Sequence, residues 1–156
     1  MGRKTRRWTG LFAIAFLAVA LTIALTLPLG DVAANPPPHT MRILRLYTGA
    51  DNQSHFEDVE VALKNDGKIG FLSEKMKATG VLFRYTSGDY NYDFHTAPRR
   101  QYVVNLEGEV EIEVGDGTRR ILRSGDILLA EDTTGQGHIS RAVDGKPRTS
   151  LFITLD

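Results

Sequence analysis

Glu109-Val110-Glu111-Ile112-Glu113-Val114 runs into Gly115-Asp116-Gly117, and Thr118-Arg119-Arg120-Ile121-Leu122-Arg123 follows. In the first segment apolar and acidic residues alternate strictly. Successive side chains of a strand point to opposite faces, so this is a half-buried strand with an acidic outer face. The Gly-Asp-Gly turns the chain, and the returning strand carries arginines. Opposite charges on paired strands favour such a hairpin by a few tenths of a kcal/mol per pair. Ser124-Gly125-Asp126 is a second turn. It leads into Ile127-Leu128-Leu129-Ala130, a run expected to be buried on both faces. Residues 138–143 and 149–155 complete the C-terminal half as further strands.

Working toward the N-terminus, residues 79–86 alternate, with Val81, Phe83 and Tyr85 on one face and Leu82 and Arg84 on the other. Residues 41–47 and 56–63 are short and rich in strand formers, with a polar loop at 48–54. Asn65-Asp66-Gly67 is a turn signal, and residues 71–77 suit either one helical turn or an irregular loop. From Met41 onward no helical period is sustained. Short strands at such spacing, with Gly-rich turns, predict an antiparallel all-β sandwich or barrel.

The first 34 residues differ in kind. Arg3, Lys4, Arg6 and Arg7 precede an uncharged run from Trp8 to Gly30, and Val32-Ala33-Ala34 offers small residues for a signal peptidase. This is the layout of a secretory signal. The run is also long enough to remain as a membrane anchor, since about 20 apolar residues span a bilayer. Both readings place the following domain outside the cytoplasmic membrane, periplasmic or extracellular if released. If uncleaved, residues 8–30 are the membrane contact. The expected organisation is therefore a signal or hydrophobic helix at 1–34, a Pro-rich linker at 35–40 and a β domain at 41–156. His39, just after Pro36-Pro37-Pro38, is expected to be solvated.

The 156 residues contain no cysteine, which excludes disulfides, a thiolate nucleophile and a Cys-ligated zinc. Formal charge is +0, but removing the basic N-terminus leaves a mildly acidic domain. Nucleic-acid binding draws on clustered Lys and Arg, so nucleic acid is not expected as a partner.

The stretch from Phe94-His95-Thr96-Ala97-Pro98-Arg99-Arg100-Gln101-Tyr102 to Leu106-Glu107-Gly108 resembles the first cupin motif. Gly125-Asp126-Ile127-Leu128-Leu129-Ala130-Glu131-Asp132, continuing to Gly135-Gln136-Gly137-His138, resembles the second. The resemblance covers about residues 80–155. It implies a cupin-type β-barrel, that is, a jelly roll or double-stranded β-helix. It also implies a comparison of metal ligands, because cupins that hold a metal generally use two histidines, an acid and a third histidine. With Gly108 placed on the motif's closing glycine, Gln101 takes the acid's position. His95 then takes the first histidine's, Ala97 the second's and His138 the last. An amide is a weaker donor than a carboxylate, so any Mn, Fe or Zn held by His95, Gln101 and His138 is expected to be bound weakly. The alternative is that the two histidines hydrogen-bond across the barrel.

Further candidates cluster near the same motif. One of Arg99 and Arg100 is expected to face inward and clamp a carboxylate or phosphate, since neighbours on a strand point apart. The alternative is that both are solvated. Tyr85, Tyr90, Tyr92, Phe94 and Tyr102 suit an apolar ligand wall or plain core packing. Glu131-Asp132 offers either a general base or a turn. His55 lies on an early loop that could fold over the barrel. Three functions follow: small-molecule binding without catalysis, a metal-free isomerase or epimerase or metal-dependent oxygenase, and a structural barrel presenting a partner surface. Binding leads, because the donor set is incomplete and no acid partner for a catalytic histidine stands out. The resemblance also implies a homodimer through an edge strand.

Overall fold

The computed structural model describes residues 39–155. The expected signal or anchor at 1–34 and most of the linker lie outside the described residues. Among the described residues the chain forms strands and one short 3-10 turn at Gly67–Ile69, and no helix is long and apolar enough to cross a membrane. The strands are β1 (His39–Thr48), β2 (Ser54–Asn65), β3 (Phe71–Leu72), β4 (Gly80–Thr86), β5 (Asn91–His95) and β6 (Gln101–Glu107). They continue as β7 (Val110–Glu113), β8 (Arg119–Leu122), β9 (Ile127–Glu131), β10 (His138–Ala142) and β11 (Arg148–Thr154).

Two sheets result, one in the order β3-β2-β1-β9-β6-β11-β4 and the other β5-β10-β7-β8. The all-β architecture is as the alternation predicts. It departs from purely antiparallel pairing at one ladder, where β1 runs parallel to β9, Leu44 opposite Leu128 and Leu46 opposite Ala130. Those strands lie far apart in the chain, so no tight turn dictates their direction. Strand β1 begins at His39, inside the stretch expected to be linker; His39 is exposed, as expected, with its ring stacked on the exposed Phe71 at 3.7 Å. Residues 71–77 hold no helical turn: Phe71–Leu72 pairs with Asn65 and Lys64.

The core lies between the sheets. Leu46, Val103, Leu128 and Ala130 come from the larger sheet, and Val110, Ile112 and Leu122 from the smaller, with Val114 just beyond β7. The β7 alternation thus buries its apolar face as expected. Its acidic face is half-buried rather than exposed, because arginines cover it from both sides. Arg119 lies 3.0 Å from Glu113, and Arg141 of β10 lies 2.6 Å from Glu113 and 3.2 Å from Glu111. The Arg141 hydrogen bond, chiefly, holds the Glu113 carboxyl below its ordinary range. In β9 only Leu128 and Ala130 are buried. Ile127 and Leu129 are half-exposed on the outer face, so the run is not buried on both sides.

Candidate functional site

The inner faces of the two sheets enclose a cavity of about 510 Å³. Register determines which side chains reach it. Gln101 pairs with Ala130 and Thr154, and Val103 with Leu128 and Phe152, so these residues share the inner face of the large sheet. The same ladder continues to β4, where Phe152 lies opposite Leu82, Ser150 opposite Arg84, and Arg148 opposite Thr86. From the smaller sheet come Tyr92, His95, Val110, Ile112, Leu122, His138 and Ser140.

Two glycines permit the close approaches behind this wall. Gly137 has φ +78°, and a Cβ there would lie 2.1 Å from the His95 carbonyl oxygen. Any larger residue would push β10 off β5 and separate His138 from His95, which pair directly. Gly108, at φ +76°, would place a Cβ 2.3 Å from the Pro147 carbonyl oxygen, just where β11 begins.

His138 is the best-supported polar group in the cavity. Its Nδ1 lies 2.6 Å from Oδ2 of Asp132, which is fully buried and accepts a second hydrogen bond from Ser54 Oγ at 3.0 Å. A carboxylate only accepts, so Nδ1 donates to it and Nε2 is the ring nitrogen left for another partner. Among the described residues Nε2 has no hydrogen-bond partner. His95 is oriented in the same sense, with Nδ1 donating to the Asp93 carbonyl oxygen at 2.7 Å. Burial, reinforced by the nearby His138, lowers the His95 pKa below the ordinary histidine value, which keeps the ring neutral at pH 7. Tyr92 stacks on His95 at 3.9 Å, and the His95 and His138 rings lie 4.3 Å apart. Beyond them Tyr90 shares a hydrogen bond of 2.9 Å with Ser140 Oγ.

Of the residues expected to form the site, Tyr92, His95, Arg99, Gln101 and His138 line this cavity. Arg100, Tyr102 and Glu131 do not, and strand alternation explains why. With Gln101 and Ala130 inward, their neighbours Arg100, Tyr102 and Glu131 face outward. Glu131 instead joins Arg45 at 2.6 Å and Arg100 at 2.6 Å on the outer surface. Burial would raise its pKa, but the hydrogen bonds from Arg100 and Arg45 outweigh that and hold it below the ordinary value. Tyr102 donates to Met76 Sδ at 3.0 Å, and desolvation raises its pKa. Tyr85 and Phe94 are exposed on outward positions, so only Tyr90 and Tyr92 of the expected aromatic wall belong to the cavity. His55 does not line it either, and its Nε2 lies 3.0 Å from Asp51 on the β1–β2 loop.

Arg148, Arg84, Ser140 and the dyad role of Asp132 were not apparent from the sequence. Arg148 follows Lys146-Pro147 and looks like a loop cation. The polar positions 148, 150 and 154 of β11 face inward, while its apolar Leu151 and Ile153 are only half-buried, the reverse of the usual pattern. A parity test with the inner face left open is the one signal that could have exposed this.

The candidate donors lining the cavity are the imidazoles of His95 and His138 and the amide of Gln101. The adjacent carboxylate, Asp132, is already engaged behind His138. Among the described residues no group of three His, Asp or Glu side chains is placed to hold a metal ion. This set does not fit a firmly held divalent metal, which wants three or four N or O donors such as imidazole and carboxylate.

No protein-family model matches the sequence, and no curated protein is found similar to it. Solved structures give weak likenesses. A Salmonella typhimurium protein described as a putative ethanolamine utilization protein q shares 13% identity at a TM-score of 0.40, covering 75% of this chain and 97% of its own. The cupin domain of Schizosaccharomyces pombe Cnp3 shares 8% identity at 0.39, covering 75% and 84%. The Legionella pneumophila dTDP-6-deoxy-D-glucose-3,5-epimerase RmlC, in complex with dTDP-4-keto-L-rhamnose, shares 14% at 0.38, covering 76% and 72%. At these values the likenesses carry no argument about chemistry.

Proposed function

We propose that this chain is an extracytoplasmic, cupin-type barrel that binds a small molecule between its two sheets. The observation that carries the reading is the cavity itself. About 510 Å³ of space is walled mainly by apolar and aromatic side chains, with a few polar groups converging from different strands. Ligand sites have that composition and that size. A barrel serving only as a scaffold would gain stability by filling the space with side chains. The test is to purify the full-length chain, denature it, and measure the released small molecules and metals together by mass spectrometry. A stoichiometric organic compound is expected. Recovery of none, together with no thermal shift across panels of sugars and organic acids, would refute the reading.

One observation favours a second reading, an acid–base enzyme that works without metal. A histidine whose Nδ1 is held by a buried carboxylate presents Nε2 as a base of fixed tautomer and orientation. Tyr90, tied to Ser140 on the same wall, supplies a hydroxyl that can return a proton. Such a pair suits proton abstraction beside a carbonyl, as in isomerisation or epimerisation. In that case His138→Gln and Asp132→Asn abolish turnover while the ligand still binds. Loss of binding in parallel with loss of turnover would leave the dyad a binding group alone.

Two copies pairing along β4 is the oligomer we propose, since β4 is an edge of the large sheet among the described residues, with Phe83 84% exposed. A monomer by sedimentation at micromolar concentration would contradict it.

A further inference from the structure

Several arginines described in this chain meet carboxylates: Arg45, Arg100, Arg119 and Arg141 each lie within 3.0 Å of at least one. Arg148 is different. It is only 7% exposed and lines the cavity, and among the described residues it has no acidic partner and no hydrogen-bond acceptor. Its nitrogens are also not among the sealed side-chain atoms left without partners, so they border the open space of the cavity. Burial chiefly, and Arg84 next, push its pKa down to about 10, which still leaves it a cation at neutral pH.

The neighbouring charge has the same sign. Arg84, across the β4–β11 ladder, lies with its guanidinium carbon 5.2 Å from the Tyr90 ring centre and 5.5 Å from that of Phe152, on the same cavity wall. Arg148 is a buried charge without a counter-charge, which is costly because a buried charge is tolerated only when paired, and the exposed Arg84 at the same wall adds repulsion of like sign. A bound anion resolves the cost. Guanidinium forks match carboxylate and phosphate oxygens bidentately.

We propose that Arg148 and Arg84 together seat an anionic group, a carboxylate or a phosphate, carried by the small molecule that occupies the cavity. This rests on the reading of the cavity as a ligand site and specifies the class of ligand. The seat and the His138–Asp132 dyad open on the same space. His95 feels both the charge of Arg84 and that of Asp132. An anion anchored at Arg148 therefore presents the rest of its molecule to the Nε2 side of His138.

The test uses the full-length chain in a non-ionic detergent, titrated calorimetrically with phenyl phosphate, benzoate and phenol at constant ionic strength. One or both anions should bind at least about tenfold more tightly than phenol, the scale of a charge-assisted bidentate contact. Arg148→Met should remove that advantage and leave phenol binding unchanged. Arg84→Gln, at an exposed position that cannot prevent folding, should reduce it in part and serves if Arg148→Met does not fold. Preference for phenyl phosphate identifies a phosphate seat, and preference for benzoate a carboxylate seat. Phenol binding as tightly as both anions, or anion binding unaffected by both substitutions, would overturn the seat while leaving the cavity a neutral-ligand site. Failure of all three probes to bind would remove the cavity reading as well.

Discussion

Ile112→Ala and Leu46→Ala test whether the space between the sheets is an open cavity or ordinary core. Both side chains are buried, Ile112 at 3% exposure and Leu46 at 0%. Each substitution removes about three methyl or methylene groups, about 2.4 kcal/mol of transfer free energy at about 0.8 kcal/mol each. A sealed core adds a further cost for the void left behind, and the full range for such truncations is about 2–5 kcal/mol. Ile112 already borders the cavity, so its truncation enlarges an existing space and creates no new sealed void. Leu46 belongs to the closed part of the core and does not line that cavity. Ile112→Ala should therefore cost about 2–3 kcal/mol and Leu46→Ala about 3–5 kcal/mol. Glu111→Ala is the control: its arginine partners are partly exposed, so it should cost at most about 1 kcal/mol. Urea unfolding of the three variants beside the wild type, followed by far-UV circular dichroism, gives the values. Ile112→Ala costing more than Leu46→Ala, or less than about 1 kcal/mol, would refute the placement of the cavity.

Glu131 makes stability depend on acid. Its folded pKa lies below the ordinary value of 4.5, so its contribution is complete above that pH and is lost as pH falls through the lower folded value. Glu131→Gln should cost about 1–2 kcal/mol at pH 7, discounted for the exposure of its arginine partners, and nothing once wild-type Glu131 is protonated. A cost that does not change with pH would contradict this. Gln101→Glu adds a carboxylate to the cavity that His95 and His138 also line and should raise affinity for Mn²⁺, Fe²⁺ or Zn²⁺ by about tenfold or more, with His138→Ala removing the gain. Equal affinities by calorimetry would show that these three groups do not converge on one ion. Finally, a reporter fused after Pro38 should be active outside the cytoplasmic membrane, and a soluble cytoplasmic product would end the export proposal.

The alternation in residues 109–114 was enough to establish β7, its buried face and the hairpin to β8, because period-two patterning is a local property set by which face meets water. The same alternation holds in β6, where Gln101, Val103 and Asn105 are buried in turn, although only the motif resemblance had singled out Gln101. It also required one of Arg99 and Arg100 to point away from the cavity, though not which. What local pattern could not supply was any fact that depends on which strands become neighbours. Glu131 was a candidate base until the β1–β9 ladder brought Arg45 beside it. Asp132 gained its role only when the turn at Gly137 returned His138 to within 2.6 Å. Arg148 drew no reading from the sequence, because burial of a charge is never visible along the chain. It follows from the β4–β11–β6 register, which turns the polar side of β11 inward. Hydrophobic periodicity marks a filled core, and here the tertiary structure leaves the core open at one end, so the polar face of a strand could be the inner one.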